Sequence, residues 1–79
     1  MDLLIAIRKY VTKLMEYGYY PKQKKPSVGK LEKMADLCMV GKFRKLSRYI
    51  PDTATEEQKK TLEGLMNDIK EIVKNEKVD

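Results

Sequence analysis

Histidine and tryptophan are absent from this sequence, and cysteine occurs once, at Cys38. With no imidazole and a single thiol, neither a Cys/His zinc site nor a Cys–His or Ser–His nucleophile can be assembled. A lone cysteine forms no internal disulfide, which fits a reducing cytosol. Within an apolar helix it is ordinarily a packed small hydrophobe. The two Gly-Lys pairs, Gly29-Lys30 and Gly41-Lys42, lack the upstream glycine and the following Ser/Thr of a phosphate-binding P-loop. No carboxylate pair suggests acid–base chemistry: Glu56-Glu57 reads as helix N-terminus, and Asp68 with Glu71 as solvated surface. The expectation is a protein that is not an enzyme and holds no cofactor and no metal. Long apolar runs are also missing. The longest, Leu3 to Ile7, is five residues, short of a signal peptide core or a spanning helix. The expected setting is cytoplasmic, with no transmembrane segment.

What is present is charge, and it is unevenly spread. The 79 residues carry a net +5. From Met1 to Ile50 there are twelve Lys/Arg against four Asp/Glu, and from Pro51 to Asp79 five against eight. This asymmetry points to an anionic partner for the first two thirds. The alternative is internal, with an acidic last helix lying across a basic body. Lysines outnumber arginines fourteen to three, and a lysine-rich surface can serve solubility alone. The length suits one small domain, 1–79, or a subunit completed by an oligomer.

Apolar residues recur at helical spacing in three places. Leu3, Ile7, Tyr10, Leu14 and Tyr17 stripe a first helix over 2–17, with Asp2 able to cap it and Gly18 to stop it. Such a basic amphipathic helix can lie on an anionic membrane, or bury its stripe in a bundle. Leu62, Leu65, Met66, Ile69, Ile72 and Val73 stripe a last helix over 55–75. A capping box there uses either Thr53 with Glu56 or Thr55 with Gln58. Gly64 lies on its outer side, at a cost of about 1 kcal/mol relative to alanine. Between Pro26 and Pro51, an arc roughly 140° wide takes Val28, Leu31, Ala35, Cys38, Met39, Phe43, Leu46, Tyr49 and Ile50. One long helix fits it, but Gly41 is a natural helix stop and Lys42 would fall inside the arc. The expectation is a helix over 28–40 with Ser27 as N-cap, a turn at Gly41 and a short helix over 42–50. The fold class is all-α, a small three- to four-helix bundle with a basic loop over 18–27 and a frayed tail over 76–79.

Two clusters carry the functional expectation. In the loop, Lys22, Lys24 and Lys25 follow Tyr19 and Tyr20, a composition suited to single-stranded nucleic acid, where cations meet phosphates and rings stack on bases. The competing reading is a flexible linker whose tyrosines lean on the core. On the central stretch, Lys30, Lys33, Arg44 and Arg48 fall together opposite the apolar arc, as either a phosphate-binding face or a solvated helix surface. A helix-turn-helix fits poorly. It would put Lys42 and Ser47 where buried residues are needed, with no Arg–Asn–Gln cluster to read base edges. The sequence therefore predicts a small binding or regulatory protein contacting DNA or RNA mainly through phosphates. Its rival is a protein-interaction module, an inhibitor or adaptor, meeting an acidic protein surface through apolar residues near Tyr19, Tyr20 and Tyr49. A third reading is a homodimer formed through the central helix.

Overall fold

The computed structural model describes residues 2–20 and 26–76, and within them the backbone forms four α-helices and no strand. They are α1 (Asp2–Glu16), α2 (Val28–Met39), α3 (Arg44–Ser47) and α4 (Glu56–Glu76). This is the all-α bundle expected from the periodicities, with boundaries within one residue for three of the helices.

The ends of α1 and α2 and the starts of α2 and α4 lie where the sequence supplies the right chemistry, whereas α3 starts after Phe43 with no side-chain cap. Gly18 and Gly41 take positive φ angles of 79° and 82°, which glycine adopts without a Cβ clash. Both close a Schellman motif. At the first, the Gly18 N–H donates to the Met15 carbonyl and the Tyr19 N–H to the Leu14 carbonyl. At the second, the Gly41 N–H donates to Cys38 and the Lys42 N–H to Leu37. Ser27 caps α2, its Oγ accepting from the Lys30 N–H at 3.2 Å. For α4 the reciprocal box is Thr55 with Gln58. Gln58 N–H donates to Thr55 Oγ1 at 3.1 Å, and Thr55 N–H donates to Gln58 Oε1 at 3.2 Å. Thr55 therefore lies outside α4 as its cap.

α1 and α4 form the main helix pair, and α2 packs on α1 and, less extensively, on α4. The pair is antiparallel. Tyr19, just after α1, bonds Gln58 near the start of α4, whereas Ile5 and Ile72 line one concavity at the other end. Their seam and α2 enclose the core: Leu3, Ile7, Tyr10, Val11 and Leu14 from α1, Leu31, Met34, Ala35 and Cys38 from α2, and Leu62, Met66, Ile69 and Val73 from α4. The stripe of α1 is thus spent inside the bundle. Burying a large aliphatic side chain stabilises by about 1.5–3 kcal/mol, so these rows hold the three long helices together.

Two expectations about the central stretch need correction. The short helix contributes one α-turn, Arg44–Ser47. Bonds from Lys45 to Lys42, Leu46 to Phe43 and Ile50 to Ser47 extend it on both sides as tighter i→i+3 turns. Leu46 alone of α3 is buried, one anchor being all that a single turn can offer. The buried face of α2 is also rotated by about 60° from the predicted arc. It centres on Leu31, Met34, Ala35 and Cys38, leaving Val28 exposed at 65% and Val40 at 66%. The predicted arc includes residues beyond Gly41, where the helix does not continue.

Among the described residues no helix is long and apolar enough to cross a membrane. The predicted basic loop is described only at its ends, and Lys22, Lys24 and Lys25 lie outside the described residues, as do residues 77–79 of the predicted frayed tail.

Candidate nucleic-acid interface

The turn at Gly41 decides where the central cations go. Continued as one helix, the chain would have carried Lys42 toward the core. The left-handed glycine instead ends α2, and Lys42 emerges exposed. Arg44, Lys45 and Arg48 follow, all exposed, while Leu46 holds the segment down from beneath. No carboxylate occurs between Asp36 and Asp52, so this segment carries four cations and no acidic residue.

Of the predicted face, Lys33, Arg44 and Arg48 are exposed and Lys30 is half-buried. They do not share one helix face. Lys30 and Lys33 belong to α2, Arg44 to α3, and Arg48 follows α3 as its C-cap. The single wheel that grouped them was interrupted by Gly41. Lys42 and Lys45 were not among the predicted contacts, and the signal for both was the same glycine, since after a helix stop the count of faces must start again.

The tyrosines are drawn inward. Tyr20 is 7% exposed, and its ring packs on Tyr49 with centroids 5.3 Å apart and planes at 55°. Burial raises the Tyr20 phenol above its ordinary pKa, with Tyr49 adding to it. Tyr19 is half-buried, tilts against Tyr17 at 5.8 Å, and donates its hydroxyl proton to Gln58 Oε1. That oxygen also serves the α4 capping box, so the end of α1 and the start of α4 are tied at one atom. The apolar patch expected around Tyr19, Tyr20 and Tyr49 is therefore largely consumed by internal packing. Two cations rest on rings beside the basic segment: Arg48 Cζ lies 5.9 Å from the Tyr49 centroid, and Lys70 Nζ lies 5.5 Å from that of Phe43.

Among the described residues no close ion pair joins the acids of α4 to the basic body. The ion pair among the described residues is Lys13–Glu16 at 2.9 Å, within α1. Its carboxylate bond and charge raise the exposed Lys13 ammonium pKa. Cys38 is fully buried, and burial pushes its thiol up to about 11, so at neutral pH it is a protonated packing group. Among the described residues no group of three His, Cys, Asp or Glu is placed to hold a metal.

Comparison with protein families, with curated proteins and with solved structures gives no match for this chain.

Proposed function

We propose that this is a small non-enzymatic nucleic-acid-binding protein that grips phosphates with the segment around Gly41 and α3. The observation that carries this reading is the exposed run Lys42, Arg44, Lys45 and Arg48, with no intervening carboxylate and no ion pair among the described residues. Exposed cations within a few residues of one another, in no ion pair among the described residues, gain by releasing the counterions condensed on a nucleic-acid backbone. Phosphate contact of this kind positions a protein without reading sequence. Tyr20, which packs against Tyr49, is assigned to structure, and base stacking is not part of the proposal.

Fluorescence anisotropy with labelled duplex and single-stranded oligonucleotides, measured over a salt series, tests the reading. Four phosphate contacts give a slope of log K against log salt of about −3 to −4 on duplex. A triple variant, Arg44→Glu, Lys45→Glu and Arg48→Glu, should lose binding while keeping its helical far-ultraviolet spectrum, because all three side chains are exposed. No measurable binding at low salt, or unchanged binding by the folded triple variant, would refute it. Absent nucleic-acid binding, with capture of an acidic protein lost in the same triple variant, would move the site to the rival reading.

A further inference from the structure

The outer side of the α1/α4 pair, away from α2, is not closed by any element among the described residues. Two open concavities of about 420 and 490 Å³ run along it and share Ile5, Lys9 and Leu65. Ile5 is 55% exposed, and half-buried Leu65 and Ile72 continue its stripe. Apart from the Lys13–Glu16 pair within α1, the charges beside the stripe are sorted by helix. On the α1 side stand Arg8 and Lys9, and on the α4 side Asp68 and Glu71. All four are exposed, and none forms an ion pair among the described residues, although Lys9 lines the same concavity as both acids.

We propose that this face is a homodimer interface in which α1 of each copy lies antiparallel against α4 of the other, closing a four-helix bundle. Charge selects this arrangement over the other twofold one. A two-fold axis parallel to the helices places α1 over the partner's α4 and keeps each residue at its own level along the bundle. Lys9 then meets the acidic wall of the second copy, and both copies gain the same pairing. An in-plane axis across the helices would instead stack α1 on α1 and α4 on α4, setting Lys9 against lysine and Asp68 against carboxylates. The stripe of Ile5, Leu65 and Ile72 is buried between the copies in the favoured arrangement. The face is about 22 Å long, the length of a 15-residue helix, and two helices wide. An area of that order lies at the small end of specific interfaces, so the dimer should be reversible and concentration-dependent.

Sedimentation velocity across a concentration series, from low micromolar to millimolar, tests this on the full chain. The weight-average mass should rise from the chain mass of 9.2 kDa toward twice that value. Ile5→Lys, Lys9→Glu and Asp68→Lys should each weaken association at least about tenfold, at unchanged helix content. The decisive measurement is the equimolar mixture of Lys9→Glu with Asp68→Lys. In a mixed pair the substituted side chains face each other with opposite charge, and the native Lys9 and Asp68 do likewise, so dimerisation should return toward wild-type strength although each variant alone associates at least about tenfold more weakly. A wild-type chain monomeric at millimolar concentration would overturn the proposal. So would a mixture that stays monomeric, or an Ile5→Lys variant that associates like wild type.

Discussion

Tyr10→Phe should make this protein more stable. Tyr10 sits on α1 in the core, with no exposed surface, and its buried hydroxyl oxygen has no hydrogen-bond partner among the described residues. A buried hydroxyl without a partner has given up its water bonds for nothing, a cost of about 1–3 kcal/mol. Phenylalanine keeps the ring and its contacts and removes that cost. A gain of about 1–2 kcal/mol is expected at pH 7, opposite in sign to the loss of about 1 kcal/mol when a bonded hydroxyl is deleted. Urea denaturation followed by circular dichroism should show a higher midpoint at unchanged slope. In a domain of this size each kcal/mol raises the melting temperature by about 4–8 °C. Equal or lower stability would mean that the hydroxyl is hydrogen-bonded in solution, and the reasoning would fail.

The same residue governs behaviour at high pH. Burial, and secondarily the neighbouring Cys38, pushes the Tyr10 phenol from 10.0 up to about 12, and burial pushes the Cys38 thiol from 9.0 up to about 11. Both groups hold their protons more tightly folded than unfolded. Their contribution is intact below about pH 9 and is lost as pH rises through the folded values, at about 1.4 kcal/mol per pH unit for each group titrating in the unfolded chain. The thiol alone then removes about 3 kcal/mol between pH 9 and 11, comparable to the roughly 3–5 kcal/mol that one small core supplies. Wild type should unfold in this range. Tyr10→Phe should retain the thiol's share of the alkaline slope and lose its own, and an identical slope in both proteins would contradict the assignment.

Three further substitutions check the frame. Ile69→Ala removes a fully buried side chain from α4 and should cost about 2–5 kcal/mol, enough to leave the chain partly unfolded at 25 °C, and an unchanged melting curve would show that α4 does not pack as described. Gly→Ala should have opposite signs at two sites where an added Cβ meets nothing within 4 Å: Gly41→Ala should cost about 1–2 kcal/mol because its φ is +82°, whereas Gly64→Ala, within α4, should gain about 1 kcal/mol in dilute solution.

How much of this was legible in the sequence depends on whether a signal is local. Caps and stops are local. Ser27, Gly18, Gly41 and the Thr55–Gln58 box each act within a few residues, and each does in the structure what its chemistry predicts. The stripes of α1 and α4 are long enough for the 3.6-residue period to fix their faces, and the core residues follow. Tyr20 and Ala54 are buried although no periodicity covers them, because loop residues are placed by the helices they happen to bridge. Tyr19 gave no sign of its bond to Gln58, 39 positions away in sequence.

The central stretch shows where a correct local inference and an incorrect regional one can coexist. Gly41 reads as a helix stop, whereas only one helix continuing through it would group Lys30 and Lys33 with Arg44 and Arg48. A stop resets rotation and direction together, so residues on its two sides share a surface only if tertiary packing brings them there. What survives the reset is the content of the segment after it: Lys42, Arg44, Lys45 and Arg48 are exposed, while buried Leu46 and partly buried Phe43, Tyr49 and Ile50 anchor them to the core. A cation cluster on one turn of helix gains little structurally from its charges, since they repel one another and no carboxylate among the described residues pairs with them. An anionic ligand would remove that repulsion, and for this reason the functional proposal rests on the turn and α3 and not on the longer face drawn through both helices.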